Sequence, residues 1–334
     1  MATETENNDE SEQGRLELEP MDPQLTCIQP GGGVVIKLEL AWGHIRRWYL
    51  KTFRKSYVAR MQESRHGEKN ACPHEVLDPR DVKFYRNQDG YWWDEKDDPF
   101  TWRDRLPFAR VGMAELLLSI AACFGGAAGL TALALTKLPG NIFVWLGVAT
   151  LAVIGSLIVW FFRDPNRPIP TEPGLVISPA DGKVVTIEDI EHDEFIGGPA
   201  VNIGIFLSIF NVHINRTPVA ARVIGLRYKK GKMLNALRPE SVRENEQLAI
   251  RIESTEPGHR RMIVRQITGA IARRIVCWLK PGDEIGRGDQ VGMIKFGSRT
   301  ELVIPKEDGL TIEVKEGQNV KAGRCVMARY SDKP

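Results

Sequence analysis

The chain has 334 residues, enough for one large domain or two small ones. Hydrophobic residues make up 43% and charged residues 26%, a globular composition that excludes wholesale disorder. The net charge of +2 argues against a nucleic-acid partner, which would require a strongly basic surface. The five cysteines are scattered along the chain, so we expect a reducing, cytosolic environment rather than a disulfide framework.

Two segments of opposite charge open the chain. Acids far outnumber Arg15 at the N-terminus, and residues 1–30 are predicted to be a disordered acidic tail. Residues 31–110 form an extension of unknown role, in which residues 37–65 carry eight Lys and Arg against two Glu and have apolar residues at roughly helical spacing. A basic helix on anionic lipid and a solvated helix packed on its own protein are equally compatible with this pattern. Cys72 and His74 lack a second ligand pair, so no metal site is predicted.

Residues 111–162 are the most apolar part of the chain and contain only two charged residues. Leu116–Thr136 and Ile142–Phe162 are each uncharged over 21 residues, the length that a helix needs to cross a bilayer. We therefore predict a transmembrane helical hairpin that turns at residues 137–141. A buried helical pair in a soluble core is the alternative, but soluble helices of this length are rarely apolar on all faces.

The residues in and around the hairpin predict its packing and its orientation. Gly125 and Gly129 are spaced for close approach of the first helix to the second. Arginines flank the hairpin on both sides, whereas Lys137 is the single charge in the turn. The positive-inside rule then places both ends, and the domain that follows, on the cytoplasmic face of the inner (cell) membrane. The acidic N-terminus has no apolar core that would predict a signal peptide.

Residues 163–334 have the pattern of a mainly antiparallel β domain. Prolines between residues 165 and 173 predict a stiff link into it. Residues 269–279 are ambiguous between a strand and a short helix. Short β-branched runs, punctuated by Gly, Pro and Asp, predict strands at Lys183–Ile187, Val201–Ser208, Val212–Asn215, Ala221–Tyr228, Leu248–Ile252 and Met262–Ile267.

An internal repeat lies near the C-terminus, where Lys280–Val291 can be laid over Lys315–Val326 at an offset of 35 residues. Each copy is predicted to form a turn, a short strand, a glycine turn and a second strand. The arrangement resembles the hairpins of lipoyl and biotinyl carrier domains, in which a lysine at the exposed tip between the copies holds the prosthetic group. Here the superposition places Ser298 at the tip, and a serine cannot form the usual amide.

Three residues offer the side-chain types of an Asp-His-Ser relay in chain order: Asp181, His213 and Ser298. Each also has an ordinary structural explanation. An Asp before Gly usually forms a turn, a single His in a strand is usually a satisfied, half-buried residue, and most Gly-Ser pairs are turns. Composition alone leaves these alternatives open.

Several motifs occur in an order that carries a family resemblance. They are Phe162–Pro165, Ser178–Gly182, Phe206–Arg216, Glu244–Glu246, Ala272–Ile275 and Phe296–Arg299. With the two apolar segments ahead of them, they make residues 164–330 resemble the phosphatidylserine decarboxylases, in the shorter branch of that family. The resemblance covers roughly half of the chain. It implies a carboxy-lyase that converts phosphatidylserine to phosphatidylethanolamine and CO2.

The resemblance also implies a self-cleaving proenzyme with a covalent pyruvoyl group. Ser298, deprotonated by His213 with Asp181 orienting the imidazole, would attack the carbonyl of Gly297. The chain would divide into a β chain, residues 1–297, and an α chain, residues 298–334. Ser298 would become the pyruvoyl group, which forms a Schiff base with the substrate amine, and no metal is implied. Phosphatidylserine in the membrane and the two cleaved chains are the implied partners, and homo-oligomerisation is left open.

Two positions depart from the longer branch of the family. By the resemblance, His213 is also the candidate to protonate the carbanion left by CO2. Arg216 stands where the longer branch has a second histidine, so assigning both the base and the acid role to His213 is less secure than assigning the cleavage site. Arg299 stands where that branch has threonine. Pairing with a substrate carboxylate or phosphate is one alternative for it, but we expect it to face solvent. Two rival functions remain: a pyruvoyl enzyme acting on a different, soluble amine, and a non-enzymatic membrane adaptor with a carrier-like fold.

Overall fold

The computed structural model describes residues 15–238, 240–270, 274–295 and 298–331. The chain divides into two compact units. The described residues of the first, called the β unit, are 15–30, 167–208, 214–238, 240–270, 274–295 and 298–331. The second, called the helical unit, comprises residues 31–166 and 209–213.

The described residues of the helical unit form α1 (Val34–Phe53), α2 (Lys55–Glu63), α3 (Met113–Thr136) and α4 (Ile142–Phe161). Short 3-10 helices lie between α2 and α3, at Lys83–Tyr85, Thr101–Arg105 and Arg110–Gly112. α3 packs against α4, and both are long and apolar enough to cross a membrane. The side chain of Asn141 caps α4 by accepting a hydrogen bond from the Phe143 N–H at 3.0 Å. The predicted pair of apolar helices is therefore present, with bounds within three residues of those expected.

The contact between α3 and α4 uses different glycines from those predicted. A Cβ added at Gly125 or Gly129 would have open space around it, so these two residues do not face α4. A Cβ on Gly126 would instead meet α4 at 3.2 Å, and one on Gly155 would come within 2.9 Å of the Phe124 ring. The prediction that Gly125 and Gly129 lie in the contact was wrong, because their spacing alone does not determine which side of a uniformly apolar helix faces its neighbour.

The β unit is mainly antiparallel, as predicted. Its described residues form 14 strands: β1 (Leu175–Ile177), β2 (Gly182–Asp193), β3 (Gly198–Leu207), β4 (Ile214–Arg216), β5 (Ala221–Lys229), β6 (Gln247–Ser254), β7 (Arg261–Thr268), β8 (Arg274–Cys277), β9 (Glu284–Ile285), β10 (Gln290–Lys295), β11 (Ser298–Pro305), β12 (Leu310–Ile312), β13 (Asn319–Val320) and β14 (Val326–Tyr330). One short helix, α5 (Ser241–Glu244), precedes β6. The ambiguous stretch at residues 269–279 contains β8.

An eight-stranded sheet dominates this unit, in the order β13-β2-β3-β11-β7-β6-β5-β9. Two three-stranded sheets have the orders β1-β14-β12 and β4-β10-β8. β11 lies between β3 and β7 and is buried along its whole length. The main core contains Leu302 and Ile304, whereas Val303, which points to the opposite face of the strand, belongs to a smaller cluster. β11 is therefore a central strand, covered on both faces.

The 35-residue repeat is reflected in local structure. β8, β9 and β10 correspond in position and pairing to β12, β13 and β14. The paired glycines adopt matching left-handed conformations, with φ of 92° at Gly282 and 86° at Gly317, and 81° at Gly288 and 73° at Gly323. Only glycine adopts such angles without strain, which explains why these positions are glycine in both copies.

The symmetry extends beyond the segment in which the sequence revealed it. The Ile177 N–H donates to the Pro218 carbonyl at 3.0 Å, and the Arg216 N–H donates to the Pro179 carbonyl at 2.9 Å. In these reciprocal bonds β1 corresponds to β4, and β2 corresponds to β5. The order of the eight-stranded sheet has the same pseudo-two-fold symmetry, with its axis between β11 and β7. The likeness to a carrier-domain hairpin is not confirmed, because Ser298 begins a central strand instead of occupying an exposed tip.

The described part of the N-terminal segment, residues 15–30, is ordered against the β unit. Leu25 is buried in the main core, and the Ile28 carbonyl accepts a hydrogen bond from the Cys277 N–H at 2.9 Å. The Glu19 carboxylate lies 2.9 Å from Arg227 and 2.6 Å from Arg251. The disorder prediction was wrong for these residues, because a charge count does not reveal cationic partners that are distant in the chain. Residues 1–14 lie outside the described residues.

Candidate active site

Ser298 is the first residue of β11, opposite Leu207 of β3 and Thr268 of β7. Its side chain is completely buried, and within the described part of the chain its Oγ has no hydrogen-bond partner. The predicted exposed tip was therefore wrong, because pairing on both sides draws this residue into the sheet. A buried hydroxyl without a hydrogen-bond partner is costly to the stability of the folded state. Gly297 lies outside the described residues.

Asp181 lies at the same end of the strands of the eight-stranded sheet as Ser298. It directly precedes β2, in which Lys183 is opposite Phe206 of β3, and Phe206 is in turn opposite Arg299 of β11. Two strand spacings separate β2 from β11, which corresponds to about 10 Å. The sheet thus brings Asp181 and Ser298 to one end of the β unit without placing them in direct contact.

The Asp181 carboxylate is held by Arg167. Arg167 Nη1 and Nη2 donate to its two oxygens, the second bond measuring 2.8 Å, and the Ala322 N–H donates to Oδ1 at 2.8 Å. Both charged side chains are less than one-tenth exposed. Sequence reasoning missed Arg167, which lies in the proline-rich link. That link was predicted to be a stiff spacer, but here it is bound to the β unit, and an arginine between two prolines gave no specific signal of this.

His213 belongs to the helical unit, directly before β4. Its ring is fully buried, 4.5 Å from the ring of Phe161, and its Nδ1 lies 2.9 Å from the Asn211 carbonyl oxygen. A neutral imidazole that donates from Nδ1 to a carbonyl carries its lone pair on Nε2, the form required of a general base. Asp181 belongs to the β unit, so its role in orienting His213 stays a prediction.

A buried amide network joins the strands on the Ser298 side of the sheet. Asn215 donates from Nδ2 to Thr300 Oγ1 at 3.0 Å, and Gln266 donates from Nε2 to Asn215 Oδ1 at 2.9 Å. All three residues are completely buried. Thr300 is two residues after Ser298 on β11, so their side chains share one face of the sheet. Asn215 is two residues after His213 in the chain.

A second asparagine fixes the loop beside the strand opposite Ser298. Asn245 donates from Nδ2 to the Thr268 carbonyl at 2.7 Å and to the Leu234 carbonyl at 2.8 Å. The Thr268 N–H and hydroxyl both donate to the Glu246 carbonyl. Asn215 and Asn245 lie within two of the motifs that carry the family resemblance, but the sequence alone could not assign either of them a hydrogen-bond partner.

Arg299 is buried, so the expectation that it faces solvent was wrong. Its guanidinium donates to Glu301 at 3.0 Å and to Thr186 Oγ1 at 2.8 Å, and Glu301 also accepts from Arg265 at 2.7 Å. The alternation of side chains places Arg299 on the face of β11 opposite to Ser298. A buried cation of this kind requires a charged partner, and Glu301 is two residues along the same strand.

A cavity of about 560 Å³ adjoins Arg299. Its lining combines the cation of Arg243 with the carboxylates of Glu188, Glu240 and Glu244, and Thr186 and apolar side chains complete it. Nearby, burial raises the pKa of the Glu246 carboxyl above its usual range, although hydrogen bonding to Tyr228 acts in the opposite direction. The mixed charge of the cavity suits a zwitterionic or polar group better than a simple anion.

A family model described as phosphatidylserine decarboxylase matches residues 154–328, which is more than half of the chain. The chain belongs to the phosphatidylserine decarboxylase family. It is accordingly a decarboxylase, and the matched segment contains Asp181, His213, Gly297 and Ser298. Within that family the unsatisfied hydroxyl at the start of β11 gains a chemical meaning.

Curated relatives agree with this assignment. A phosphatidylserine decarboxylase proenzyme from Rhodopirellula baltica is 50% identical over 249 residues, which are 75% of this chain and 99% of the relative. Proenzymes of the same name from Symbiobacterium thermophilum and Carboxydothermus hydrogenoformans are 44% and 43% identical. These matches cover 55% and 58% of this chain, and 84% and 89% of the relatives. The shared part is thus nearly the whole of each relative, and this chain has additional sequence.

Proposed function

We propose that the chain is a self-processing enzyme that converts phosphatidylserine to phosphatidylethanolamine and CO2, using a pyruvoyl group made from Ser298. The observation that carries this proposal is the buried Oγ of Ser298, which has no hydrogen-bond partner among the residues that the structure describes. A hydroxyl that receives no hydrogen bond is not stabilised in its ground state, and it is available as a nucleophile once a base removes its proton. The word proenzyme in the names of the relatives agrees with processing.

The cleavage chemistry follows from the bond between Gly297 and Ser298. The Ser298 oxygen attacks the Gly297 carbonyl carbon, and the amide nitrogen leaves, which gives an ester. Removal of the Ser298 α-proton then expels the Gly297 carboxylate and leaves a dehydroalanine. Water hydrolyses this residue to a pyruvoyl group and releases ammonia. The products are residues 1–297 and residues 298–334.

His213 is our candidate for the base, with Nε2 as the accepting atom because Nδ1–H donates to the Asn211 carbonyl. Asn215, two residues after His213 in the chain, donates from Nδ2 to Thr300 Oγ1, and Thr300 lies two residues after Ser298. Asp181, held by Arg167, is proposed to set the charge at this end of the sheet.

The residues present fit a pyruvoyl group, because Ser298 is a fully buried serine whose Oγ has no hydrogen-bond partner among the described residues. When formed, that group supplies an electrophilic carbonyl for the substrate amine and a sink for the electrons left by CO2. Around it, the Asn215 network joins β11 to the neighbouring strands β4 and β7. After cleavage the α chain would remain bound, because β11 pairs with β3 along its whole length and β14 pairs with β1.

The membrane location is proposed from the helical unit. α3 and α4 can each cross a bilayer by length and composition, and a lipid substrate gives a reason for anchoring. The arginine bias supports a location of residues 163–334 on the cytoplasmic face of the inner membrane. Cysteines introduced at Gly140 and Asp308 in cells would test this: an impermeant reagent should label the first and spare the second, and the reverse result would contradict the orientation.

The activity is tested with purified protein and two substrates. Phosphatidylserine in detergent micelles should release CO2, free serine should not, and S298A should be uncleaved and inactive. Equal turnover of free serine would favour the rival pyruvoyl enzyme with a soluble amine substrate. Failure to release CO2 from either substrate, in protein that is cleaved, would contradict the decarboxylase assignment itself.

A further inference from the structure

Helix α1 exposes a stripe of large apolar side chains, whereas its opposite side, which includes Gly43, Arg47 and Leu50, is buried. Its outward side chains recur at helical spacing and form one stripe, here called the α1 apolar face. Each of them is 46% exposed or more. The residues of this face are Val34, Leu38, Trp42, Ile45, Trp48, Tyr49 and Phe53.

Ion pairs fix this orientation. Arg46 and Arg47 both bind the Asp81 carboxylate, which is completely buried and also accepts the Leu77 N–H at 3.0 Å. Glu39, on the same side of α1, lies 2.6 Å from Lys83 Nζ. A rotation that buried the aromatic residues would break these ion pairs and leave the buried Asp81 charge without its two arginine partners, at a large cost in stability.

We propose that the α1 apolar face inserts into the interfacial layer of an anionic lipid bilayer. Tryptophan and tyrosine are enriched at that depth, where a ring can be buried while its polar atom stays near water. The helix and its C-terminal end also carry exposed cations at Lys37, Arg54 and Lys55, which complement an anionic surface. The sequence left lipid and protein contact equally open for this helix, and the outward aromatic face decides between them.

Continuity with the apolar hairpin supports the same occupant. α1 belongs to the helical unit, and it contacts α3 within that unit. A helix beside a membrane-spanning pair, with its aromatic side outward and its salt bridges inward, has the residue distribution of an interfacial helix. In this respect the inference rests on the proposed function, because it takes α3 and α4 as membrane-spanning.

The test uses the full chain in phosphatidylcholine vesicles that contain phosphatidylglycerol, an anionic lipid that lacks the serine amine. The part-exposed Cys27, Cys72 and Cys325 are replaced by serine, and an environment-sensitive fluorophore is attached in variant I45C. Variant K69C, exposed outside α1, is the matched control. Spin-labelled lipid should quench the fluorophore in I45C only, and aqueous dithionite should reduce it about tenfold more slowly than in K69C.

The other outcomes contradict either this inference or the membrane-spanning hairpin on which it rests. Equal dithionite rates in I45C and K69C would show that α1 lies in water. Protection that persists without lipid quenching, and that depends on protein density, would assign the face to a second copy of the chain. Release of the protein from vesicles by alkaline carbonate would refute the membrane-spanning hairpin instead, whereas retention with an unquenched I45C label would refute only the α1 inference. Circular dichroism in detergent confirms that each variant is folded.

Discussion

The buried pair of Arg167 and Asp181 gives the most demanding prediction about the site. R167M keeps much of the aliphatic stem but removes the guanidinium, which makes two bonds to Asp181 and donates to the Ala322 carbonyl at 2.7 Å. The Ala322 N–H then remains as the one donor described for the Asp181 carboxylate. Because both side chains are less than one-tenth exposed, loss of one partner should cost about 3–5 kcal/mol of stability.

A double-mutant cycle separates this effect from general damage. The variants are R167M, D181N and the combination, compared by denaturant unfolding of the full chain in detergent, followed by β-sheet circular dichroism. The double variant should recover at least about 1 kcal/mol relative to additivity, because a neutral asparagine needs no cation. R167K keeps the positive charge but cannot make the two parallel hydrogen bonds of the guanidinium, so its free energy of unfolding should lie between those of wild type and R167M. An R167M variant within about 0.5 kcal/mol of wild type, or additive losses, would refute the reasoning.

Three further predictions concern other parts of the molecule. Because burial raises the pKa of Glu246, its contribution to stability is full below its unfolded pKa and is lost as the pH rises through its folded pKa. E246Q should therefore gain stability relative to wild type as the pH is raised from 4 towards neutrality. Parallel curves of unfolding free energy against pH for the two proteins would contradict this. G155L should weaken α3–α4 packing by about 1–3 kcal/mol through a clash with Phe124, whereas G125L has open space and should unfold as wild type does; equal effects in thermal unfolding would be inconsistent with the packing described. G282A and G317A, at matching φ of 92° and 86°, should each lower stability by about 1 kcal/mol or more, and a loss at one site alone would contradict the structural equivalence of the repeat copies.

The sequence predicted best what depends on composition and local pattern. Uninterrupted apolar runs located α3 and α4, and β-branched runs between turn residues located β2, β3, β5, β6 and β7, though with shorter bounds than the structure gives. The matching motifs also led to the correct family. These signals are local, so they survive without knowledge of tertiary contacts.

What the sequence could not predict depends on contacts between distant segments. Ser298 was placed at an exposed tip because the repeat gave its neighbours in the chain but not its partners in the sheet, β3 and β7. Arg167 reaches Asp181 from the proline-rich link, and Arg299 finds Glu301 and Thr186 on one buried face. For α1, periodicity indicated a helix, but only the ion pairs to Asp81 show which side is outward.

The mass of the small chain tests the central claim most directly. Purified wild-type protein should contain two polypeptides, and the smaller should correspond to residues 298–334. Its mass should be lower than that of the simple hydrolysis product by the mass of one ammonia, because the serine amine is lost when the pyruvoyl group forms. A single intact chain in protein that releases CO2 from phosphatidylserine, or a small chain that begins with an unmodified Ser298, would contradict the account.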